Sequence, residues 1–315
     1  MLESKNNHVA IVIVCMNNLK NLIPCLDSIA EFTNIAHEIW INCYMFSDEN
    51  LAIIRRRYPY VHIVVNNEIA GFSENNNIIL KQLDTEYVLI LNDDTIFKEP
   101  VLDRLVDSIQ RTPDAAIMAP KLLNGDGSLQ YCGKAPYTIW DFIVATSSIG
   151  DPGFKKSIYI NQDNIFRTYN ICGACFLIKR AIFEELGWFD EYYFFCPEDI
   201  ALSTLANQRG YSVYCDSNIS LYHLQGKTSS IVKPATLPAA RKGSIKFYSK
   251  GSLYLLLFLK FYIFILCTIK TIFFFLKKDK INYMAQWHCV ETIFTSLSPK
   301  DIFIKYYTQI KKIKA

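Results

Sequence analysis

The first 120 residues alternate between short apolar runs and segments with helical spacing. The run HVAIVIVC at 8–15 is continuous and has the length of a buried strand. It is followed by Asn17 and Asn18, which are good N-caps, and then by leucines and isoleucine three or four residues apart over 19–29. The pattern therefore predicts a strand and then an amphipathic helix.

The same alternation continues through the next hundred residues. The predicted strands cover 38–44, 61–65, 87–91 and 115–119, and the predicted helices cover 48–57, 73–83 and 99–111. Strands and helices at this pitch imply right-handed crossovers and an α/β fold, with a mostly parallel central sheet covered by helices on both faces. Ligands bind beyond the carboxyl ends of such strands, so the residues that follow each run are the candidates for function.

The pattern changes after residue 120. Glycines and prolines make 120–170 less regular. The run ACFLIK at 174–179 predicts another strand, and PEDIALSTLANQRG predicts a helix that begins near Pro197 and ends at Gly210. The following YSVYC predicts one more strand.

The C-terminal tail is lysine-rich and hydrophobic. Residues 251–278 are overwhelmingly aromatic and aliphatic, interrupted by Lys260 and Lys270. A lysine near the centre of a bilayer costs roughly 2.5–3.5 kcal/mol. At about 100° per residue, one loose face collects Lys246, Lys250, Lys260, Thr271 and Lys278. This favours an interfacial helix with snorkelling lysines; a buried helix of a C-terminal subdomain and a true span are the alternatives.

Composition and charge narrow the class of protein. A chain of 315 residues that is 51% hydrophobic can bury a full core. The net charge of +3 argues against a dedicated nucleic-acid binder. The polar start MLESKNN has no apolar signal-peptide core, so we expect a cytoplasmic protein whose ten cysteines stay reduced. The pair in CGAC at 172–175 has no partner pair at zinc spacing, which argues against a metal or redox role.

The strongest chemical signal is LILNDDT at 89–95. A hydrophobic strand delivers Asn92, Asp93, Asp94 and Thr95 to the ligand-binding edge of the predicted sheet. Hard oxygen ligands are what Mg²⁺ or Mn²⁺ needs, usually one or two carboxylates plus substrate phosphate oxygens. The alternative is a strand-to-helix turn in which an aspartate caps the next helix.

The second signal is NNEIAGFSENNN at 66–77. Gly71 permits close backbone approach or a positive φ, and Ser73 is predicted as the N-cap of the next helix. Asn75–Asn77 then fill the first turn, where amides suit a sugar or a phosphate. Three successive asparagines are poor helix formers, so something other than propensity favours them. Ordinary capping is the competing explanation.

Two further candidates lie in the second half of the chain. Glu198 and Asp199 open a predicted helix, where the macrodipole stabilises negative charge and where a carboxylate can also act as general base. His223 ends a strand-like run before the polar loop QGKTSS, which suits a diphosphate. A structural histidine is the alternative.

Taken in order, these segments resemble the family 2 glycosyltransferases of the GT-A fold, and within them the rhamnosyltransferase-like branch. The resemblance runs from Val9 to Ser230 and rests on VAIVIVCMNN, NEIAGFSENNN, LNDDT, PKLLNGDGSLQYCG, ICGACFLIKRAIFEELGWFDEYYFFCPED and YHLQGKTSS. It implies a GT-A domain over 1–240, with a nucleotide-sugar half at about 1–120 and an acceptor half at about 120–240. The hydrophobic tail then covers 241–315.

The resemblance also implies roles for individual residues. Asp199 matches the catalytic base and Glu198 its companion, while Asp94 and His223 match positions that hold or approach Mg²⁺ or Mn²⁺. The donor and nucleotide side comprises Cys15, Asn17, Asn18, Gly71, Phe72, Asn76, Asn92, Asp93, Gly173, Ala174 and Lys227. The acceptor side comprises Trp188, Phe189 and Asp190.

Two positions depart from the family pattern. Many members carry an aspartate after the second strand that pairs with the nucleotide base, and here Asn42 or Cys43 stands near that place with Asp48 further on. Many also carry a second aspartate where this chain has Ala201. These departures motivate one alternative, a degenerate, non-catalytic protein that acts as a membrane-bound assembly partner.

The resemblance implies an inverting transferase that moves a sugar, with rhamnose the expectation for this branch, from a dTDP- or UDP-linked donor to an acceptor hydroxyl. The acceptor would be a glycan or a lipid-linked glycan of cell-surface polysaccharide synthesis. With the tail, this predicts a peripheral enzyme on the inner face of the cell membrane. A sugar nucleotidyltransferase is the remaining alternative, but the segment CMNNLKN after the first strand lacks the glycines of a phosphate loop.

Overall fold

A central sheet organises the first part of the chain. The computed structural model describes residues 8–130, 135–147, 164–225 and 232–314. The strands are β1 (Val9–Met16), β2 (His37–Tyr44), β3 (His62–Asn66), β4 (Tyr87–Asn92), β5 (Thr95–Ile96), β6 (Ala115–Leu123), β7 (Ile165–Thr168), β8 (Cys175–Lys179) and β9 (Ser212–His223). The helices among them are α1 (Leu19–Phe32), α2 (Asp48–Arg57), α3 (Phe72–Leu80), α4 (Val101–Arg111), α5 (Ile139–Ser147), α6 (Arg180–Glu185) and α7 (Glu198–Gln208).

The order of strands in this sheet is β3-β2-β1-β4-β8-β6-β9-β5, with β7 also paired to β9. The strands β3, β2, β1 and β4 are parallel, whereas β8 lies antiparallel between β4 and β6. The predicted α/β sheet is confirmed, and its parallel half is the N-terminal one. The other half is mixed because the chain returns to the carboxyl end of β4 before it enters β8, so β8 must run in the opposite direction.

The continuous apolar runs are the buried centre of the sheet. In β4, Val88, Leu89 and Ile90 are fully buried, and α1 covers the neighbouring strands with Leu22 and Leu26. Strands that are covered on both faces require apolar side chains on both sides of the pleat, which explains why the runs do not alternate. This burial holds the polar strand ends in one plane at the edge of the sheet.

The start of α3 differs from the expectation. Its N-cap is Gly71, which has a φ of −80°, and not Ser73. A Cβ at Gly71 would lie 2.5 Å from the carbonyl oxygen of Phe194, so the glycine is required for close backbone approach rather than for a positive φ. Ser73 lies inside the helix, where its hydroxyl donates to the Tyr193 carbonyl at 3.1 Å.

Buried hydrogen bonds explain the run of asparagines in α3. The Asn75 Oδ1 atom accepts from Asn66 Nδ2 at 2.7 Å, which ties the helix to the end of β3. The Asn77 amide donates to the Phe189 carbonyl at 2.9 Å and to Glu191. Buried polar groups need such partners. The asparagines are therefore kept for these hydrogen bonds, although they are poor helix formers.

Four further helices follow the sheet: α8 (Lys233–Ser249), α9 (Leu253–Leu276), α10 (Lys280–Thr292) and α11 (Pro299–Lys314). The predicted division at residue 240 falls inside α8, which packs directly on the sheet domain. A Cβ at Gly243 would lie 2.8 Å from the Cys196 carbonyl oxygen, so the α8 backbone touches the segment before α7. In α11, Lys300 forms an ion pair of 2.8 Å with Glu74 of α3.

The single lysine face predicted for the tail is wrong. The backbone is left-handed at Lys250, where φ is 48°, so the chain turns between α8 and α9 and Lys250 does not share a helix with Lys260. Thr271 points inward with Leu259 and Cys267. The face fails because the 100° rule applies only within an unbroken helix.

One side of α9 is apolar and open to solvent, and we call it the α9 outer face. Its residues are between 53% and 87% exposed: Tyr254, Phe258, Phe261, Ile265, Ile269, Ile272 and Leu276. Spacings of three and four residues place them on one stripe. Within the described residues, α9 is the one helix long and apolar enough to cross a membrane, with a mean hydropathy of 2.1, although length and composition alone are weak evidence for a span.

Candidate active site

The carboxylates of Asp93 and Asp94 follow the end of β4. Burial is the main cause that raises the pKa of Asp93 to about 6, with the Asp94 charge adding to it and hydrogen bonds from Cys15 and Asn21 opposing it. Asp94 is buried, and its backbone carbonyl accepts from the Leu224 N–H at 2.8 Å. Two adjacent carboxylates with little solvent around them favour either a bound proton or a cation nearby.

His223 lies beside Asp94 because β5 pairs with the end of β9, with Thr95 opposite His223. Its Nδ1 atom is 2.9 Å from Gln130 Oε1, while the Gln130 amide group donates to the His223 carbonyl and to Asn124. These contacts make Oε1 the acceptor and Nδ1 the donor. The other ring nitrogen, Nε2, is 3.3 Å from Asp94 Oδ1.

This geometry fits a divalent metal. A ring nitrogen with a lone pair and a carboxylate oxygen repel each other at 3.3 Å unless a proton or a cation lies between them. Carboxylate oxygens and one imidazole are suitable ligands for Mn²⁺ or Mg²⁺. Among the described residues no three His, Cys, Asp or Glu side chains form a preformed metal cluster. A metal that takes its remaining ligands from a diphosphate and water needs no such cluster.

A short series of hydrogen bonds joins Asp199 to the same edge of the sheet. The Asn92 N–H at the end of β4 donates to the Ala174 carbonyl at 2.9 Å. The Gly173 N–H donates to Asp199 Oδ2 at 2.8 Å. A Cβ at Gly173 would lie 3.3 Å from the Asp199 Cβ, so a small residue is needed there. Two adjacent residues, Gly173 and Ala174, therefore connect the Asp199 carboxylate at the start of α7 to the end of β4.

Glu198 is in a different environment from its neighbour. Burial raises its pKa well above 4.5, and the adjacent Asp199 charge raises it further. Its Oε2 atom is buried and has no hydrogen-bond partner among the residues that the structure describes. Glu198 is therefore a group that favours the neutral acid, while Asp199 accepts two N–H groups, one from Gly173 and one from its own neighbour Ile200.

The three residues predicted after β1 have different contacts in the structure. The buried Cys15 thiol contacts Asp93, and burial raises the pKa of Cys15. Asn17 accepts from the Ser47 N–H at 3.1 Å and from Asn50, so its amide joins β1 to the start of α2. Asn18 stands at the N-cap position of α1 without a side-chain cap hydrogen bond.

The residues predicted around α3 make structural contacts, within the helix or with the segment before α7. Gly71 contacts the Phe194 backbone, and Phe72 packs edge-on against Phe189 with ring centroids 5.8 Å apart. Asn76 is 1% exposed, and its amide donates to the Phe72 carbonyl inside the helix. A direct contact of Asn76 with a donor is not supported, because the side chain is enclosed. Lys227 lies outside the described residues.

The predicted acceptor-side loop forms part of a cavity of about 860 Å³ beside α7. Trp188, Asp190 and Ala201 line it, and Asp190 forms an ion pair of 3.5 Å with Lys246. Phe189 is 1% exposed and packs into an aromatic cluster, so its contribution to the loop is structural. Ala201 stands where the family pattern has an aspartate, so a methyl group takes the place of that carboxylate in the lining of the cavity.

Three side chains near the site were not predicted. Gln130 orients His223, and it stands in the motif PKLLNGDGSLQYCG without any local feature that marks it. Tyr137 lines the cavity beside α7, where burial and then the Asp199 charge raise its pKa. Tyr248 of α8 also lies in the field of Asp199. No periodicity in the sequence identifies these residues, because each reaches the site from a distant element.

Comparison with known proteins identifies the family of this chain. A family model described as "Glycosyltransferase like family 2" matches residues 6–237. The O-antigen biosynthesis protein RfbC of Myxococcus xanthus is 30% identical over 155 residues, which cover 47% of this chain and 12% of that protein. The N-acetylglucosaminyl-diphospho-decaprenol L-rhamnosyltransferase of Mycobacterium tuberculosis is 25% identical over 185 residues, covering 53% of this chain and 60% of the relative. The chain thus matches less than two thirds of either relative.

Two solved structures share the fold. GalNAc-T7 with UDP, GalNAc and Mn²⁺ superposes with a TM-score of 0.55 at 16% identity, over 70% of this chain and 44% of that one. The mannosyltransferase PcManGT of Pyrobaculum calidifontis, in complex with GDP-Man and Mn²⁺, has a TM-score of 0.50 at 16% identity, over 96% of this chain and 80% of that one. At these identities the likeness concerns the fold alone.

Proposed function

Since the chain belongs to glycosyltransferase-like family 2, we propose that it transfers a sugar from a nucleoside-diphosphate donor to an acceptor hydroxyl, with inversion at the anomeric carbon. The expected donor is dTDP- or UDP-linked, and rhamnose is the sugar suggested by the rhamnosyltransferase among its relatives. The expected pathway is cell-surface polysaccharide or lipid-linked glycan synthesis, in keeping with the names of the relatives.

The observation that carries this proposal is the hydrogen-bonded link between the two acidic segments. The Gly173 N–H donates to the Asp199 carboxylate. The residue after Gly173 is Ala174, whose carbonyl accepts from the Asn92 N–H. A general base and an acidic pair suited to a divalent metal, on one edge of a sheet, are what a metal-assisted single-displacement transfer requires.

The chemistry follows from the environments of these carboxylates. Asp199 takes the proton of the acceptor hydroxyl as that oxygen attacks the anomeric carbon from the face opposite the leaving diphosphate. Asp94 and His223 are the residues that would hold Mn²⁺ or Mg²⁺, which supplies positive charge to the diphosphate when bound. Burial raises the pKa of Glu198 and so favours its neutral form, which adds no second negative charge beside the base.

The α9 outer face supports an acceptor at a membrane surface. Soluble monomers rarely expose an apolar stripe of this length, and an interfacial helix buries such a stripe at the boundary of headgroups and acyl chains. The acceptor is accordingly proposed to be a lipid-linked glycan at the inner face of the membrane.

The test of the catalytic role is Asp199→Asn. Turnover with the productive donor and acceptor should fall about 10²–10⁴-fold, because general-base catalysis is lost. Stabilisation by UDP with Mn²⁺ in thermal unfolding should persist, since a ligand of the native state raises its stability whether or not chemistry follows.

The matched control is Asp84→Asn, an exposed aspartate before β4 at the opposite end of the strand. It should leave turnover unchanged. Normal turnover by Asp199→Asn would refute the assignment of the base. If the wild-type protein transfers and hydrolyses no sugar from dTDP-, UDP- or GDP-linked donors with either metal, the non-catalytic alternative is supported instead.

A further inference from the structure

The turn between α9 and α10 carries three lysines around one acidic residue, in the sequence LKKDK at 276–280. Its backbone is closed by a hydrogen bond of 3.0 Å from the Lys278 N–H to the Phe275 carbonyl. Lys278 has a φ of 56°, the left-handed position after a helix that glycine usually occupies. A lysine costs more conformational free energy there than a glycine, so something other than backbone preference favours it.

This turn borders a cavity of about 490 Å³, a size typical of small-molecule sites. Its lining combines apolar and charged side chains: Phe274, Phe275, Leu276, Lys278, Asp279, Lys280 and Tyr283. The rings of Phe275 and Tyr283 join α9 to α10 here, with centroids 5.9 Å apart. Leu276 is 73% exposed and belongs both to the cavity and to the α9 outer face. The cavity therefore adjoins the apolar stripe, and an amphipathic ligand would meet apolar and cationic groups in one place.

The ammonium groups at this cavity have no ion-pair partner. Asp279 is committed to the start of α10, where its carboxylate accepts from the Asn282 N–H at 3.1 Å and from the Asn282 amide at 2.6 Å. Within the described ranges, neither Lys278 nor Lys280 forms a side-chain hydrogen bond or ion pair. Lys233 of α8 donates to Asn282 Oδ1 at 2.5 Å, which adds a further cation at the start of α10. The turn thus carries positive charge that the chain does not neutralise.

Other lysines of the tail are neutralised by the sheet domain. Lys246 forms an ion pair of 3.5 Å with Asp190, and Lys300 forms one of 2.8 Å with Glu74. Fifteen of the 33 lysines and arginines follow residue 232, but only three of the 30 acidic residues do. The excess positive charge therefore lies on the same part of the chain as the α9 outer face, and the unpaired lysines at 278 and 280 are at the end of that face.

An anionic lipid surface matches both features of the turn. An interfacial helix buries its apolar stripe at the boundary of headgroups and acyl chains, and anionic lipids attract its lysines. Lysine stems lie along apolar surface while the ammonium groups stay in the polar layer. Lys277 already does so, since its Nζ atom is 4.5 Å from the centroid of the Phe273 ring, which is 48% exposed. A nucleic acid would match the charge but would leave Phe275 and Leu276 uncovered.

We propose that the turn between α9 and α10 binds an anionic phospholipid, with Lys278 and Lys280 at the headgroup phosphate and the adjoining cavity around the glycerol and acyl region. This rests on the membrane contact in the proposed function and names the class of lipid. A lysine binds phosphate as a point charge, and each lysine near an anionic surface strengthens the attraction. The protein would then prefer anionic to neutral membranes.

The test is the partition of the full chain onto vesicles of phosphatidylcholine, alone or mixed with phosphatidylglycerol. In the double variant Lys278→Gln, Lys280→Gln, partition onto the mixed vesicles should fall about 10- to 30-fold, since each lysine near an anionic surface contributes a factor of about five. On phosphatidylcholine alone the variant should bind like the wild type, through the α9 outer face. Lys278→Arg, Lys280→Arg should bind mixed vesicles like the wild type, because the charge is kept.

The matched control is Lys20→Gln, Arg56→Gln, which removes the same charge from exposed positions of α1 and α2. It should leave partition onto both kinds of vesicle unchanged. Thermal unfolding of all the double variants should match the wild type, since the positions are exposed. An equal loss of binding in Lys20→Gln, Arg56→Gln, or no loss in Lys278→Gln, Lys280→Gln, would overturn the proposal.

Other outcomes separate this site from the rest of the proposed function. Glycerol phosphate and chloride at equal ionic strength should lower partition equally, and stronger displacement by glycerol phosphate would assign the lysines to a soluble phosphate ester and overturn the lipid site. If the wild type binds neutral and anionic vesicles equally, the charged site fails while the α9 outer face stands. If anionic vesicles bind through Lys278 and Lys280 but no sugar is transferred, the proposed function fails while the lipid site stands.

Discussion

Strand β4 and helix α9 are both almost entirely apolar in sequence, yet they end in opposite environments. In β4 the central side chains are fully buried between helices, whereas the α9 outer face is more than half exposed along its whole length. Both segments also carry polar groups at their margins: Asp93 and Asp94 follow the end of β4, and Lys270 is partly buried on α9. Hydrophobicity therefore identifies both segments as apolar, but it does not say whether the rest of the chain covers them.

The difference teaches where each part of the proposed function resides. The apolar side chains of β4 are buried by other parts of the chain, so their role is to fix the position of the acidic residues that follow the strand. No described part of the chain covers the α9 outer face, so we expect this face to contact something outside the chain, which the proposed function takes to be a membrane. The predictions below test this division, from the largest expected effect to the smallest.

The largest effect is expected on membrane binding. The triple variant Phe258→Ser, Phe261→Ser, Ile265→Ser should lower partition onto vesicles about 10²–10³-fold, because each side chain contributes roughly 1.5–3 kcal/mol when fully buried and less when partly buried. Thermal stability in solution should change little, since the positions are exposed. The matched control Tyr60→Ser, Val65→Ser, Ile165→Ser removes exposed apolar side chains from the sheet domain. Equal partition by the two variants would contradict the assignment of the α9 outer face.

A second prediction concerns the contact that couples the two regions. In Gly243→Ala the new Cβ would meet the Cys196 carbonyl at 2.8 Å, and overpacking of this kind costs about 1–3 kcal/mol. The gain in helix propensity is at most about 1 kcal/mol, so the net free energy of unfolding should fall. Turnover should fall as well, because α8 shifts against the segment that leads to Asp199, while vesicle binding persists.

The control for this variant is Gly125→Ala. There the nearest atom to a new Cβ is a Leu224 methyl carbon at 3.4 Å, which is ordinary contact with a flexible side chain. Chemical denaturation of both variants measures the difference. If Gly243→Ala is as stable and active as Gly125→Ala, α8 does not constrain the catalytic segment.

The smallest effect concerns Glu198. Its pKa in the folded protein is raised by burial above 4.5, so below 4.5 both folded and unfolded states hold the proton. Between 4.5 and the raised value the unfolded state loses the proton while the folded state keeps it, so the wild type loses stability as pH rises. Glu198→Gln removes this penalty, on the order of 1 kcal/mol per pH unit crossed.

Thermal unfolding measured between pH 5 and pH 8 should therefore show the melting temperature of Glu198→Gln rising relative to that of wild type as the pH increases towards the raised pKa of Glu198. The control Glu31→Gln, at an exposed position in α1, should follow the wild type at every pH. A difference that is constant across this range would show that Glu198 ionises normally in the folded protein.

Local pattern predicted much of this molecule because the relevant forces act over a few residues. The alternation of apolar runs and helical spacing located β1 to β4 and the helices between them to within a few residues. Strand-end logic then selected Asp93 and Asp94, and helix-start logic selected Asp199. Hydrophobic periodicity also identified 251–278 as a helix, although the turn at Lys250 broke the lysine face assigned to it.

Contacts between segments that are far apart in the sequence could not be predicted from the local pattern of apolar and polar residues. The burial of Phe189, the enclosed amide of Asn76 and the role of Gly71 instead of Ser73 at the start of α3 all depend on how the loop before α7 packs on that helix. The clamp of Gln130 on His223 joins residues 93 positions apart. Such contacts follow from the closure of the sheet and are not encoded in neighbouring residues.

The sequence by itself determined which segments avoid water and which carboxylates stand at their ends, since periodicity and composition record burial one element at a time. Only the tertiary structure decided that the Asp199 carboxylate accepts from the Gly173 N–H, one residue before the Ala174 carbonyl that the end of β4 binds. The physical reason is that electrostatic and hydrogen-bond energies depend on distances through space, which packing sets after the elements have formed.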